Sequence, residues 1–318
     1  MGYCIGVDVG GTNIAAGLID VETRRIVEKH SVKTNAPRPC KDISADVGEV
    51  CREIVSRASI SMSEVMWVGV GVPGAIKDGV VLRASNLGWH NEPFRDILSE
   101  MIGRPVFVTN DANAAAYAEA MWGSGVGESS VVVITLGTGV GGGIVFNGKI
   151  WEGINGYAGE IGHMVVDVNG LWCRCGQRGC FEAYCSATAL ISEAKRMMKL
   201  YPDSLLRKLS AENNGKMNGV IPFEAYRLGD VAATQVVDDF IDYLAIGVAN
   251  VINIFQPAVV CIGGGISAEG EALMQPLRDK LKYISIGGKD ARTRVVAAHF
   301  RNDAGIIGAG LLGMMKEN

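Results

Sequence analysis

Hydrophobic positions in this chain switch repeatedly between strand-like runs and helix-like spacing. Tyr3 to Val9 (YCIGVDV) is a short, β-branched apolar run, the pattern of a buried strand. Gly10-Gly11-Thr12 interrupts it, and Ile14 to Ile19 returns as a second strand, predicting a hairpin with a glycine tip. Val47, Val50, Cys51, Ile54, Val55 and Ala58 follow at spacings of three and four, one face of a helix. Val65 to Val72 predicts a strand ending at Pro73-Gly74, and Phe94 to Ile102 a helix stopped by Gly103 and Pro105. Val106 to Thr109 predicts a strand that leads through Asn110-Asp111 into an alanine-rich helix ending near Trp122.

The pattern then restarts. Val131 to Leu136 predicts a strand, Gly137-Thr138-Gly139 a turn, and Gly143 to Phe146 a returning strand, so the opening device recurs and implies an internal structural duplication. A helix is expected from about Ser186 to Leu200, a polar irregular stretch around Asn213 to Asn218, and a long helix from Val231 to Phe255. Ala258 to Ile262 reads as a buried strand ending at Gly263-Gly264-Gly265. A helix (Glu269 to Lys282), a strand (Thr293 to His299) and a terminal helix (Asp303 to Met315) complete the chain. Strands alternating with helices predict an α/β protein with a largely buried sheet.

Composition narrows this picture. At 318 residues the chain exceeds one typical core, so two lobes are expected. No Pro/Gly/Ser-rich linker separates them, which places the boundary at a hinge near the helix after Asp111. A net charge of −4 argues against a nucleic-acid partner, which would favour a basic stripe, and the CxxC spacing of a zinc ribbon is absent. No apolar run is long enough to span a membrane, and the opening MGYCIGVD lacks the basic and apolar regions of a secretory signal, so the cytoplasm is the expected compartment. The 42 glycines cluster at the ends of apolar runs, where backbone must approach a neighbour or ligand closely.

The densest chemistry lies between Glu160 and Glu182. Cys173, Cys175 and Cys180 crowd one glycine-bearing turn downstream of His163, and three thiolates with one imidazole complete a tetrahedral zinc set. The other readings are disulfides, which need an oxidising compartment, and plain buried thiols. Cys4, Cys40, Cys51, Cys185 and Cys261 are scattered and read as small hydrophobes. Glu160 and Glu182 bracket the set and are available to a polar ligand.

Asp8 with Gly10, Gly11 and Thr12 suits an anion cradle, with Asp8 able to hold Mg²⁺; an ordinary tight hairpin is the other reading. No G-K-[ST] follows, so the tip is not a Walker loop. Gly137, Thr138 and Gly139 form a second such tip, and two together point to a phosphate clamp. Gly263, Gly264 and Gly265 mark a third close-approach turn, suited to an adenine and ribose or simply to helix–strand packing. Asn110-Asp111, at a strand's carboxyl end, reads as a helix N-cap, as a general base, or as both. The Asn86 amide and the backbone at Gly74 suit hydroxyl groups, or are plain turns; His30, His90 and His299 show no partner.

On these motifs the chain resembles the ROK family of sugar kinases, within the actin/hexokinase-like ATPase superfamily, and most closely its bacterial glucokinases. D-V-G-G-T resembles the first phosphate motif, L-G-T-G-V-G-G-G the second, N-D-A-N the catalytic motif, and E-I-G-H through C-R-C-G-Q-R-G-C-F-E the family signature and zinc motif. The resemblance covers essentially the whole chain. It implies two ribonuclease-H-like lobes with a cleft between them: residues 1–118 plus 301–318, the terminal helix crossing back, and residues 119–300. It makes Asp111 the catalytic base and Asn86, Asn110, Glu160, His163 and Glu182 ligands of sugar hydroxyls, with His163 serving sugar and zinc through different ring nitrogens.

The implied reaction is ATP-dependent phosphorylation of a hexose 6-hydroxyl, with Mg²⁺ and a structural Zn²⁺, in a homodimer or homotetramer. The N-L-G-W element favours glucose; allose, fructose, N-acetylmannosamine, N-acetylglucosamine, or polyphosphate as donor are the alternatives. The non-enzyme alternative is a sugar-responsive ROK repressor. The first strand at Tyr3 leaves no room for a helix-turn-helix domain, and the acidic charge disfavours DNA.

Overall fold

The computed structural model describes residues 2–316. These form two compact units. The first holds the described residues up to Val131, Gly143–Gly159 and those from Asn302 onward; the second holds Val132–Gly142 and Glu160–Arg301. The first unit thus continues past residue 118, through the whole alanine-rich helix.

The first unit runs β1 (Tyr3–Val9), β2 (Asn13–Asp20), β3 (Arg25–Lys33), α1 (Cys40–Arg57), β4 (Val65–Val72), β5 (Ala75–Lys77), β6 (Val80–Ala84), β7 (Trp89–Glu92), α2 (Phe94–Ile102), β8 (Val106–Asn110) and α3 (Asp111–Met121). Its main sheet has the order β3-β2-β1-β4-β8. β1 to β3 pair antiparallel, and β4 and β8 add in parallel, so the carboxyl ends of β1, β4 and β8 share one edge. β1 and β4 are buried on both faces, which is why their sequences are continuous apolar runs. β3 is the edge strand, and its Arg25, Glu28, Lys29 and Lys33 suit that place while masking its strand rhythm in the sequence. Ile43, Val47, Val50, Cys51, Ile54 and Val55 of α1 enter the same core as β1, β2 and β4. β5, β6 and β7 form a small separate sheet.

The chain continues with β9 (Ser130–Leu136), β10 (Val140–Phe146), β11 (Lys149–Ile150), α4 (Glu182–Cys185), α5 (Ala187–Leu200), α6 (Leu205–Glu212), α7 (Ile221–Arg227), α8 (Val231–Phe255), β12 (Val259–Gly263), α9 (Glu271–Ile284) and β13 (Arg294–Ala297). Their sheet has the order β11-β10-β9-β12-β13, with β12 and β13 parallel. Counted from its own first strand, each large sheet reads 3-2-1-4-5, the topological form of the repeated strand–tip–strand motif. α8 is buried along most of its length and packs against α5, α7 and α9. Among the described residues no helix is long and apolar enough to cross a membrane.

The last helix, α10 (Ala304–Leu311), belongs to the first unit and lies on β1, β4 and α3. Its backbone rests directly on the sheet. A Cβ at Gly6 would overlap the Ile306 carbonyl, and one at Gly69 the Ala309 carbonyl. The Trp67 indole N–H donates to the Gly310 carbonyl at 2.7 Å. Beyond Leu311 the helix tightens into 3₁₀ turns over Leu312–Lys316, where continuous helix was expected. α6 and α7 flank the stretch expected to be irregular. β10 starts at Val140, earlier than expected, because glycines 141 to 143 are built into the strand; a Cβ at Gly143 would press on the Ala112 carbonyl at 2.6 Å.

Candidate active site

In the first unit, strand register assembles the acids. Asp8 of β1 lies opposite Gly71 of β4, and Gly71 lies opposite Thr109 of β8. Gly71 puts no side chain between them, and Asp111 starts α3 two residues beyond Thr109. Burial, and then the charge of Asp111, push the Asp8 carboxyl up to about 6. Burial likewise raises Asp111, opposed by the Ala112 N–H, which donates to its Oδ1 at 2.8 Å.

Asn110 is the N-cap of α3. Its Oδ1 accepts from the N–H groups of Ala112 (2.8 Å) and Asn113 (3.2 Å), and its Nδ2 donates to the Gly74 carbonyl at 3.0 Å. The capping reading of Asn110 is therefore realised, and its amide also bonds the Asp111 carboxylate, which opposes the rise caused by burial. The same bond brings Gly74, at φ +104°, to the end of β8. Asn86 sits on an exposed turn, its Cβ 3.5 Å from where a Cβ on Gly11 would stand.

The tip at Gly10, Gly11 and Thr12 is held from behind. The buried Thr34 donates its hydroxyl to the Gly10 carbonyl at 2.6 Å and its N–H to the Thr12 carbonyl at 3.0 Å. Sequence reasoning missed Thr34, and also Glu152, whose Oε1 accepts from the Thr109 hydroxyl at 3.3 Å. Neither lies in a motif.

In the second unit the tip Gly137-Thr138-Gly139 is gripped by the start of α5. Ala187 N–H donates to the Gly137 carbonyl at 2.8 Å, and the Thr188 hydroxyl to the Thr138 carbonyl at 2.7 Å. Glu182 reaches the same tip, its Oε2 accepting from Val140 N–H at 3.0 Å. A Cβ at Gly139 would overlap that carboxylate, so the glycine there admits Glu182. Gly264, at φ +82°, brings the Gly263–Gly265 turn against Leu136 at the end of β9.

The ligand atoms of His163, Cys173, Cys175 and Cys180 all lie within 4.8 Å of one another. Cys175 and Cys180 sulfurs are 3.5 Å apart, and Cys173 Sγ is 3.8 Å from His163 Nδ1. Sulfurs about 2.3 Å from a tetrahedral zinc are about 3.8 Å apart, so the donor set fits the ion. All eight cysteines are free thiols. Burial and then the neighbouring sulfurs push Cys180 up to about 12, so a thiolate there calls for a cation. The other histidine nitrogen, Nε2, lies 3.9 Å from Glu160 Oε2, and Cys173 Sγ is 3.7 Å from Glu182 Oε1. Glu160 and Glu182 thus lie beside the cluster of four candidate metal donors, of which His163 is one. Asp8, Gly10, Gly11, Thr12, Gly74, Asn86, Asn110 and Asp111 lie in the other unit.

The ROK family model matches residues 4–315. A glucokinase of Thermotoga maritima is 40% identical over 96% of this chain and 95% of its own length. A glucokinase of Halalkalibacterium halodurans is 37% identical over 99% and 96%. The crystal structure of a ROK family glucokinase from Streptomyces griseus, in complex with glucose and AMPPNP, superposes with a TM-score of 0.85 at 36% identity, covering 98% of this chain and 99% of that one.

Proposed function

The chain belongs to the ROK family, and on that premise we infer that it is a sugar kinase that transfers the γ-phosphoryl of ATP to the 6-hydroxyl of a hexose, with glucose the leading substrate. The observation that carries the chemistry is the half-buried Asp111 just past the carboxyl end of β8, with a second half-buried carboxylate, Asp8, beside a glycine tip, both raised by desolvation. The similarity to glucokinases supports the choice of sugar and donor.

Phosphoryl transfer asks a protein mainly for positioning and charge stabilisation. Asp111 accepts the hydroxyl proton as the sugar oxygen attacks phosphorus. Burial, by raising its basicity, suits it to that work at neutral pH. The Gly10 and Gly137 N–H groups close their own tips onto the Asn13 and Gly139 carbonyls. The donors offered to phosphate oxygens are therefore the N–H groups of Gly11, Thr12, Thr138 and Gly139, and the Gly263–Gly265 turn offers close backbone approach to the adenosine. Asp8 is the candidate holder of Mg²⁺: two neighbouring half-buried carboxylates, Asp8 raised by desolvation and then by the charge of Asp111, fit a site that takes a cation. That ion would neutralise phosphate charge.

Glu160, His163, Glu182, Asn86, Asn110 and the backbone at Gly74 are assigned to sugar hydroxyls. His163 turns Nδ1 to the thiols and Nε2 outward, which supports its double assignment. Cys173, Cys175, Cys180 and His163 hold a structural Zn²⁺ in this reading. Four protein donors would complete a tetrahedral set, so an ion held there would shape the loop rather than take part in transfer.

The test is coupled ADP release over a panel of glucose, mannose, allose, fructose, N-acetylmannosamine and N-acetylglucosamine, with ATP and polyphosphate as donors. The reading expects glucose with ATP to give the highest kcat/KM. Absence of sugar-dependent ADP release across the panel overturns it.

A further inference from the structure

The loop that carries the metal donors is tied down at a second place, with chemistry unrelated to the metal. The Asp167 carboxylate receives two phenol hydroxyls: Tyr184 at 3.2 Å and Tyr243 at 3.5 Å. The Tyr184 oxygen in turn accepts the N–H of Leu171 at 2.8 Å. The two rings stack, with centroids 3.8 Å apart and planes 20° from parallel. Asp167 and Leu171 lie in the loop between His163 and Cys173, Tyr184 lies on α4 two residues after Glu182, and Tyr243 lies on α8. One carboxylate therefore ties loop, α4 and the long core helix together.

Two glycines are there for this contact. A Cβ at Gly170 would overlap the Tyr184 oxygen and meet the Asp167 carboxylate at 2.9 Å. One at Gly179 would overlap the Asp167 carbonyl, and the Gly179 carbonyl accepts from Val166 N–H at 2.8 Å. Gly179 directly precedes the metal donor Cys180, so the clasp and the cluster share a strand of loop. Glu182 lies between them: Cys173 Sγ is 3.7 Å from its Oε1 on one side, and α4 carries Tyr184 on the other.

We propose that Asp167, Tyr184 and Tyr243 form a metal-independent clasp that positions Glu182 and His163 for the hexose, so that they act as positioning residues for sugar affinity. This rests on the hexose-kinase reading above. A hydrogen bond to a charged group is a strong restraint, and its loss is felt by whatever the restraint holds in place. The hexose is bound in both ground and transition states, so loosening its ligands raises the hexose KM and leaves turnover at saturation nearly unchanged.

The experiment compares wild type with Tyr243→Phe, Tyr184→Phe and Asp167→Asn, measuring hexose KM, ATP KM, kcat, bound zinc and melting temperature. The phenylalanine variants keep the ring stack and remove only the hydroxyl, which protects folding. The expected result is a hexose KM raised on the order of tenfold in each, with kcat and ATP KM within about twofold and zinc stoichiometry retained. Tyr243→Phe combined with Asp167→Asn is expected to do little more than either alone, since both break the same contact. An unchanged hexose KM in all three variants overturns the clasp, as does a fall in kcat together with loss of zinc, which marks collapse of the loop. If wild type itself shows no hexose-dependent turnover, the kinase reading has failed instead.

Discussion

Asp8 and Asp111 are 103 positions apart in the chain and meet at the carboxyl edge of the sheet, and the charge of Asp111 acting on Asp8 makes specific demands. The Asp8 carboxyl is raised to about 6, above its ordinary value of 3.8, so it favours folding fully below that ordinary value. This contribution is lost as pH rises through about 6. At pH 7 and without added cation, Asp8→Asn is therefore expected to stabilise the fold, on the order of 2–3 kcal/mol, read by urea denaturation, while abolishing most activity. In the active protein kcat/KM is expected to fall as pH drops through about 6, because Asp8 protonates there and Asp111 is raised as well. A flat profile from pH 5 to 8 contradicts this. Asp111→Ala is expected to lower kcat about 10²–10⁴-fold while calorimetry still detects hexose binding; near-wild-type turnover removes Asp111 from its role. Asn110 shows why single residues resist a single label. Its place before an alanine-rich helix announced a cap, and its amide oxygen caps, while its amide nitrogen holds Gly74.

At the scale of elements, the loop between His163 and Cys180 has little regular structure: one 3₁₀ turn at Ile161–His163 and isolated bridges between Val165 and Cys180 and between Trp172 and Arg178. Such a segment buries little apolar surface and relies on cross-links for its shape. Removing the metal with a strong chelator is expected to raise the hexose KM by about tenfold or more and to lower the melting temperature, both reversed by stoichiometric Zn²⁺. Chelator-treated protein with unchanged KM, or freshly purified protein without zinc, tells against the metal. The strong elements were legible: β1, β4, α2, α3 and α8 stand within a residue or two of the runs that announced them. β3 and the β5–β7 sheet were not, because edge strands and short strands carry charge and turn residues where buried strands carry Val and Ile. α6 and α7 were hidden by length: eight and seven residues give barely two turns of periodicity.

At the scale of the molecule, the described residues from Asn302 onward belong to the first unit, whose other parts precede them by more than a hundred positions. α10 covers β1 and β4 at backbone distance, through Gly6 and Gly69. Deleting the chain from Asn302 onward is expected to expose that sheet and unfold the first unit, read as loss of the fluorescence signal of buried Trp67 and Trp89 and as aggregation; a soluble truncated protein with native circular dichroism refutes this dependence. The long apolar elements, the two glycine tips, the acid after a strand and the thiol–imidazole set could all be read from residues in line, because each is written in a short stretch of chain. So could the family, through motifs that stay contiguous. Folding in space was needed to put Asp8 beside Asp111, to make Gly139 a gap for Glu182, to brace the first glycine tip with Thr34, and to bring Tyr243 of α8 onto Asp167. Those pairings come from strand register and from helices packing on sheets, and a residue's distant partners leave no periodic trace in the chain that carries it.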